Sequence, residues 1–432
     1  MSKPKKVRFT GVLPFVNGSP ISRVQSFSID PDLNFSEVYE LGNPNIVQYD
    51  RDTPDVTVTM NTNDFASIGN LRKITDVKTG TISMSDLEGK SVAVSALIEQ
   101  DGALSRTAVS VNCYVSSIAW SYDVGGVATE NYSFTTDNKT MFSTTYKQTI
   151  VVPLIWLGSG STTVASGYVA SGTGVLGTGT TDQLSHYTFD AGSSALYNLS
   201  GYKVLYVWND SWRSDAVGTT FAEGDVALGA EDSYITWTGT NCATSGNRIF
   251  AIAYKVVTDA NIDSYSTESG IASVRKGQVT IDIAPAGSGG TYEQWFRVQT
   301  CNVDVDLARD TLEELGNYYA YDQSLPDPII ATVNLTMMDT DLEAFYEAAG
   351  LSWDEDTATE IDLADFARQA AVRIRVYSDK DRLASQLKKE IVLDQIQVTA
   401  ESFSVDVQDN ARQTMTATTS YLTISGADLT AP

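Results

Sequence analysis

Histidine, the side chain used most often for general acid–base catalysis, occurs once in this chain. His186 is the only histidine in 432 residues, and no Ser with Asp, and no Cys, stands at a spacing that would complete a catalytic set around it. A lone histidine in a stretch rich in Gly, Ser and Thr is far more often a surface residue than a general base. We therefore expect no enzymatic activity.

Clusters of carboxylates are the second feature that could carry chemistry, because hard cations prefer oxygen ligands. Asp304 with Asp306 and the run at residues 354–356 are such clusters, but neither follows the spacing of an EF-hand loop. An acidic chain produces them as solvated surface. Asp30 with Asp32 repeats the spacing of Asp304 with Asp306. For this repeated pair we expect a structural turn or a subunit contact, and no metal site.

Motifs for nucleotides, zinc and disulfides are also missing. The glycines of residues 158–179 are not followed by the Lys-Ser/Thr that ends a phosphate-binding loop. Cys113, Cys242 and Cys301 are far apart and odd in number, so they indicate neither a disulfide framework nor a zinc site. We predict no cofactor and synthesis in a reducing compartment.

The net charge of the chain limits which classes of partner it can bind. The chain has 29 Lys and Arg against 54 Asp and Glu, a net charge of −25. A surface this acidic disfavours binding to phosphates, so we do not expect a nucleic-acid clamp. The basic N-terminus is not followed by an apolar segment, and no run of 18 apolar residues occurs. We expect neither an export leader nor a membrane anchor.

An internal repeat is the most informative feature of the sequence. Residues 23–43 (RVQSFSIDPDLNFSEVYELGN) align without gaps to residues 297–317 (RVQTCNVDVDLARDTLEELGN), with ten of 21 positions identical. Chance would give roughly one or two matches. Further downstream, Tyr49-Asp50 aligns with Tyr321-Asp322, and residues 116–137 match the segment around residues 403–419. The chain is therefore a duplication of a unit of about 140 residues.

The periodicity within each unit is mostly two, as in Val372, Ile374 and Val376, which indicates half-buried antiparallel strands. Each unit also has an expected helix, at residues 340–350 in the second and around Phe65, Ile68 and Leu71 in the first, where Gly69 weakens the pattern. A short helix is expected at Asp362–Ala370. The predicted fold is mainly β: two tandem β-sandwich or barrel domains, each with a flanking α-helix, plus a small inserted β domain.

Three domains follow from the repeat. The first unit covers residues 1–147, the second unit covers 273–432, and the insert between them, residues 148–272, has no counterpart in the repeat. The insert begins with a Gly/Ser/Thr-rich stretch typical of a loop or linker. Its aromatic and β-branched segments Tyr202–Trp208, Tyr234–Trp237 and Arg248–Val256 predict a small β-sandwich.

The repeated pattern resembles the tail tube proteins of long-tailed bacteriophages. The residues that carry the resemblance are Glu37, the Glu-Leu-Gly-Asn at 40–43, and the closing strands from Ser121 to Phe134. It covers both units and not the insert. The resemblance implies stacked hexameric rings of β-sandwich subunits. A chain with two such units would close the ring as a trimer with pseudo-six-fold symmetry.

The family resemblance also implies where subunits meet. Residues 44–53 and 318–325 correspond to a long hairpin loop that packs on a neighbouring subunit, and the preceding Leu-Gly-Asn suits a turn. The predicted assembly residues are Leu41, Gly42, Asn43, Tyr49, Asp50, Leu315, Gly316, Asn317, Tyr321 and Asp322.

The expected function is therefore that of a structural subunit of a virion tail, made in the host cytoplasm. Its expected partners are copies of itself in homotrimer rings stacked into a tube, the tape-measure protein, and tail terminator or tip proteins. Genomic DNA would pass through the lumen without specific binding. We expect part of the excess acid to face that lumen; the alternative is that it forms the solvated outer surface.

Two alternatives stay open at this point. One is another virion structural protein, a tail-tip or capsid decoration protein, built from the same β units. The other is a carbohydrate-binding adhesive β protein, because Trp208, Trp212 and Trp237 of the insert could stack on sugars. The duplication favours the tube subunit.

Overall fold

The computed structural model describes the chain in segments. They are residues 12–16, 19–33, 35–41, 43, 45–51, 54–64, 66–75, 77, 80–87, 92–100, 103–137, 139–142, 149–158, 180–183, 203–209, 226–228, 234–237, 247–256, 273–284, 291–295, 297–312, 322–325, 327–338, 370–404 and 411–426. Within them the chain is mainly β and antiparallel, as the alternating pattern predicts.

The first unit has eleven described strands and two short helices. They are β1 (Val12–Val16), β2 (Ser19–Pro20), β3 (Val24–Asp32), β4 (Phe35–Tyr39), β5 (Ile46–Arg51), β6 (Asp55–Asn63), α1 (Gly69–Thr75), β7 (Ile82–Ser83), α2 (Met84–Leu87), β8 (Val92–Gln100), β9 (Ala103–Asp123), β10 (Thr129–Thr136) and β11 (Thr140–Phe142). Alternation decides which face is buried: Val56, Val58 and Met60 of β6 enter the core, while Asp55 and Thr57 are exposed.

The second unit repeats this order of strands. They are β18 (Val279–Ala284), β19 (Glu293–Trp295), β20 (Val298–Asp306), β21 (Asp310–Leu312), β22 (Asp322–Ser324), β23 (Ile330–Met337), β24 (Ala370–Tyr377), β25 (Leu387–Ser404), β26 (Arg412–Thr419) and β27 (Tyr421–Gly426). Short 3-10 turns at Lys276–Gln278 and Ala384–Gln386 precede β18 and β25.

Both units have the same strand pairings in two layers. The first layer runs β3–β6–β10–β9 in one unit and β20–β23–β26–β25 in the other. The second runs β2–β1–β8–β9–β11 and β19–β18–β24–β25–β27. The long strands β9 and β25 belong to both layers, and buried side chains of the two layers share one apolar core.

A backbone feature marks the same point in both units. Arg23 and Arg297 have positive φ angles of 62° and 59°, an uncommon conformation for a residue with a Cβ. Each arginine carbonyl accepts a hydrogen bond of 3.1 Å from a backbone N–H of the partner strand, from Asn63 and Met338 respectively. The duplication seen in the sequence is therefore repeated in local geometry.

The helix expectations have mixed outcomes. Ile68 and Leu71 are buried as predicted, and α1 begins at Gly69, whose N–H donates to Ser67 Oγ at 3.0 Å. At the first position of a helix a glycine interrupts no helical turn, so its weak propensity costs little. Phe65, residues 340–350 and residues 362–369 lie outside the described residues. Ala370, expected to end a helix, begins strand β24.

The insert contains six described strands in two three-stranded antiparallel sheets. The strands are β12 (Thr149–Gly158), β13 (Thr180–Gln183), β14 (Lys203–Asn209), β15 (Val226–Leu228), β16 (Tyr234–Trp237) and β17 (Asn247–Val256). The sheets run β12–β17–β14 and β13–β16–β15. Thr149 pairs with Val256, so the chain enters and leaves the insert at adjacent points. β12 also contacts β8 of the first unit's second layer.

Candidate assembly surface

A β-ladder joins the two units within one chain. The C-terminal half of β9 pairs antiparallel with β20, with Trp120 opposite Val303 and Ser121 opposite Asn302. Ser121 Oγ donates a 2.7 Å hydrogen bond to Asn302 Oδ1, while Trp120 and Val303 are buried. The first layers of the two units thus form one sheet in the order β3–β6–β10–β9–β20–β23–β26–β25. We call the β9–β20 ladder the internal joint.

A buried ion cluster accompanies the internal joint. Lys389 of the second unit donates hydrogen bonds to Asp64 Oδ2, at 2.6 Å, and to Glu130 Oε1, both in the first unit. Tyr122 OH donates to Asp64 at 3.0 Å, and Tyr132 OH donates to Glu130 at 2.8 Å. All five side chains are buried. An ammonium of one unit therefore lies between two carboxylates of the other.

The electrostatics of this cluster follow from its burial and its charge count. Burial raises the pKa of the Glu130 carboxyl, and Lys389 only partly opposes this. Burial alone would lower the pKa of Lys389, but Asp64 and Glu130 outweigh it and raise the pKa. Burial and the same carboxylates raise the pKa of Tyr122 and Tyr132 well above the usual value. Lys389 thus stays charged, and Glu130 takes up a proton more readily than an exposed glutamate.

Lys389 is not among the residues predicted from the sequence, because a Lys388-Lys389-Glu390 run is typical of an exposed strand. The alternation of apolar residues along this strand could have indicated that Lys389 is buried. Lys389 has the same parity as Ile391 and Leu393, which are fully buried, so a lysine at this place must enter the core. A buried lysine requires a buried anion nearby.

The second layer of the second unit also contacts the first unit. β27 pairs with β7 of the first unit, with Thr423 opposite Ser83 and Ile424 opposite Ile82. Gly426, at the end of β27, leaves no room for a side chain, because a Cβ there would lie 2.5 Å from the Lys388 carbonyl. Both layers of the second unit are therefore paired with strands of the first unit.

One half of the internal joint has a counterpart in β3, at an edge of the first layer. Ile29 pairs with Val58 as Val303 pairs with Val333, so β3 corresponds to β20. Asn63 N donates to Arg23 O, so the odd residues of β6 form the hydrogen-bonded pairs with β3. The register shifts between Val24 and Ser26, and beyond it the partners of these odd residues are the even residues of β3. The backbone N–H and C=O groups of the odd residues of β3 therefore point outward, away from β6. In the described part of the chain, β3 pairs with β6 alone.

The other half has its counterpart in β25, at the opposite edge. Phe403 pairs with Gln413 as Trp120 pairs with Glu130, so the C-terminal part of β25 corresponds to the part of β9 in the internal joint. Among the described residues, positions 400–404 of β25 pair with β26 alone. As far as the structure describes the chain, the sheet thus ends in two open edges that correspond to the two sides of its own internal joint.

The open edges expose side chains whose counterparts are buried. Leu33, beside β3, is 60% exposed, whereas its counterpart Leu307, beside β20, is 0% exposed. Phe403 is 59% exposed, whereas its counterpart Trp120 is 1% exposed. Large apolar side chains gain most from burial. Both edges therefore carry the apolar part of an interface that the internal joint has already formed.

The face of the joined sheet opposite the core is polar and acidic. Ser, Thr and Asn predominate, and hydrogen bonds such as Thr416 Oγ1 to Asn334 Oδ1, at 2.7 Å, connect neighbouring strands. By strand alternation, six aspartates of the described residues lie on this face, together with Arg412. The aspartates are Asp30, Asp32, Asp55, Asp123, Asp304 and Asp306.

The repeated acidic pairs lie on this face and not in turns. Asp30 and Asp32 are in β3, and Asp304 and Asp306 are in β20. The expectation of a turn was wrong because Asp at alternate positions also suits the exposed side of a strand. Asp304 and Asp306 pair with residues of β9 across the internal joint.

The predicted assembly residues of the first unit share one exposed hairpin. β4 and β5 pair with Glu37 opposite Tyr49, and Tyr49 makes an edge-to-face contact with Phe35 at a centroid distance of 6.5 Å. In the turn, Asn43 N donates to Glu40 O at 3.0 Å. Leu41, Asn43, Tyr49 and Asp50 are all exposed; Gly42, Leu315, Gly316, Asn317 and Tyr321 lie outside the described residues, and Asp322 begins β22.

The matching hairpin of the second unit, β21–β22, contacts the first unit. Thr135 Oγ1 of the first unit bonds Gln323 Oε1 at 3.3 Å, and the Arg309 guanidinium lies 4.8 Å from the ring centroid of Tyr114. The strand register shows that the residue of β22 that corresponds to Tyr49 is Gln323, and not Tyr321. This differs by two residues from the sequence alignment, because small gaps there had to be placed without the strand pairing.

Candidate catalytic and metal sites gain no support. His186, Cys242 and residues 354–356 lie outside the described residues. Within the described residues, no group of three or more His, Cys, Asp or Glu is arranged to hold a metal ion. Cys113 and Cys301 are buried thiols, and burial raises the pKa of Cys113 to about 12, which makes it a poor nucleophile.

Neither a scan against protein-family models nor a search of curated proteins finds a match to this chain. In the segments that the structure describes, no helix is long and apolar enough to span a membrane.

Proposed function

We propose that this protein is a structural subunit of a viral tail tube, with three chains closing a pseudo-hexameric ring and the rings stacking into a conduit for the genome. One observation carries the proposal: among the described residues, the joined sheet ends in two open strand edges, β3 and β25, that correspond to the two sides of its own internal joint. β25 of one copy can therefore meet β3 of the next as β9 meets β20 within the chain.

Repeating a head-to-tail contact generates either a closed ring or an open helix. The resemblance to tail tube proteins supplies the closed ring of six units, and two units per chain then require three chains. The register follows from the internal joint: Ile29 would lie opposite Phe403, and Ser28 opposite Ser404. Leu33 and Phe403 would become buried, as Leu307 and Trp120 already are.

The acidic face supports a conduit. If rings close along the first layer, one face of that layer lines the lumen, and the core lies behind the other. Short hydroxyl and amide side chains with six aspartates would then meet the DNA. Such a wall repels phosphates at short range and offers few cations for them to bind.

A cysteine experiment tests the joint between copies. A chain carrying Ser28→Cys is mixed with one carrying Ser404→Cys, both in a Cys242→Ser background, so that a new disulfide can form only between copies. The even residues of β3 face β6, so this would be a non-hydrogen-bonded pair, with Cα atoms about 4.5 Å apart, within the range of a disulfide.

We expect a covalent dimer from the mixture under mild oxidation. The chain with both substitutions should give a closed covalent trimer in denaturing electrophoresis. The control pairs Ser28→Cys with Ser402→Cys, two residues out of register. Equal cross-linking of both pairs, or none of either, would contradict the proposed joint.

A further inference from the structure

Lys139 occupies the open edge of β3 in the single chain. Its Nζ donates a 2.6 Å hydrogen bond to the carbonyl oxygen of Ile29. Ile29 is one of the odd residues of β3, so this carbonyl points outward, away from β6. A lysine at a strand edge is a common protection against unwanted strand pairing. The missing N–H of Pro31, also an outward position, has the same effect.

The Ile29 carbonyl, which accepts the hydrogen bond from Lys139, would also have to accept a backbone hydrogen bond from a strand that pairs with this edge. In the internal joint, Leu307 N donates to Ser116 O and Val124 N donates to Gln299 O. In an antiparallel ladder every second residue pair is hydrogen-bonded, so Val303 and Trp120, which lie between these two bonds, also form a hydrogen-bonded pair. At the open edge, Ile29 would exchange the same bonds with Phe403 of the neighbouring copy. The Lys139 ammonium must then leave Ile29.

The neighbouring strand carries a carboxylate next to that point. Glu401 precedes Phe403 by two residues and corresponds to Ile118 in the internal joint, where Ile118 pairs with Val305. At the open edges, Glu401 would therefore lie opposite Pro31, two residues along from Ile29 and on the side of the sheet that faces the second layer. Lys139 follows β10 and leads into β11 of that second layer, so both side chains approach from the same side.

Lys139 and Glu401 are both charged, whereas the residues at the corresponding positions of the other unit are apolar. Where the first unit continues from Thr136 to Lys139, the second continues from Thr419 through Ser420 and Tyr421 to Leu422, without a lysine. Where the second unit has Glu401, the first has the buried Ile118. At these two places the open edges carry a cation and an anion, whereas the internal joint has the buried apolar residues Leu422 and Ile118.

We propose that the Lys139 ammonium moves from the Ile29 carbonyl to the Glu401 carboxylate of a second copy when the two edges pair. This inference rests on the proposed ring. The ammonium loses one acceptor and gains a charged one, so the correct neighbour is favoured over any strand without a carboxylate at this place. The pair makes the edges selective for each other.

Charge reversal tests this pair in the full-length chain. Lys139→Glu and Glu401→Lys are made singly and together, and the protein concentration needed for ring formation is measured by sedimentation. Both side chains are exposed in the single chain, so the variants should fold, which thermal unfolding checks. The matched control is Asp381→Lys, the same kind of charge change in an exposed turn.

Each single reversal should raise the required concentration at least about tenfold, since close charge pairs in interfaces couple by this much or more. The double variant should return most of the way to the unaltered chain, and Asp381→Lys should have little effect. A double variant no better than the worse single one would overturn the pair. So would a Lys139→Ala variant that assembles more readily, because Lys139 would then only block the edge.

Failure of the ring and failure of the pair are distinguishable. If the unaltered chain forms no oligomer at any concentration, the proposed function fails and this pair fails with it. If rings form and the Ser28 and Ser404 cysteines cross-link while the charge reversals do not compensate, only the pair fails.

Discussion

Lys389 links the two units through a buried ion cluster. It is fully buried, and its ammonium is the only cation within hydrogen-bonding distance of the Asp64 and Glu130 carboxylates among the described residues. Removing one member of a buried ion pair leaves an uncompensated charge, which costs more than the pair itself contributes. Here two carboxylates would be left together.

Lys389→Met should therefore destabilise the chain by about 3–5 kcal/mol near pH 8. The loss should shrink toward pH 5. Burial already raises the pKa of Glu130, and without the ammonium it rises further. The protonated form is then favoured in the fold, a stabilising contribution that is present at low pH and lost as the pH rises through the folded pKa.

Thermal unfolding at pH 5 and pH 8 measures this effect, with the neighbouring Lys388→Met as control. Lys388 is only half-buried, so its substitution should cost little at either pH. A Lys389→Met variant as stable as the unaltered chain at pH 8, or equally weakened at both pH values, would refute the role given to the cluster.

At the scale of secondary structure, the alternation of residues was sufficient to predict many strands. Val372, Ile374 and Val376 are all fully buried on β24, and the expected insert segments correspond to β14, β16 and β17. The internal joint could not be predicted in the same way. Pairing of Trp120 with Val303 joins residues far apart in sequence, and no local pattern fixes that register. The buried cluster depends on the same long-range contact.

The β4–β5 hairpin gives a prediction of its own. Its counterpart β21–β22 already contacts the preceding unit through Gln323, so Tyr49, at the corresponding position, should contact the preceding copy in a ring. Tyr49→Ser should raise the concentration needed for ring formation roughly tenfold, because burial of a large side chain is lost. The unfolding temperature of the single chain should not change, since Tyr49 is exposed.

Tyr421→Ser is the matched control, because Tyr421 is as exposed as Tyr49 but lies on β27. Sedimentation of the two variants beside the unaltered chain gives the comparison. Equal behaviour of Tyr49→Ser and Tyr421→Ser would show that the hairpin takes no part in assembly.

At the scale of the whole molecule, the distribution of charge bears on the proposed passage of DNA. The net charge is −25, and the polar face of the joined sheet carries six aspartates among the described residues. We expect negligible binding of duplex DNA near physiological salt, because binding depends on cations that neutralise phosphates. Fluorescence anisotropy at low and physiological salt measures this. Micromolar binding that survives physiological salt would contradict a conduit.

The proposed ring makes a definite prediction for the number of chains that it contains. If the open edges of β3 and β25 repeat the internal joint, two units per chain complete a six-unit ring with three chains. Native mass spectrometry of single rings, or symmetry analysis of end-on electron micrographs, gives this number. We predict three chains with pseudo-six-fold symmetry; six chains per ring, or a protein that stays monomeric at high concentration, would contradict it.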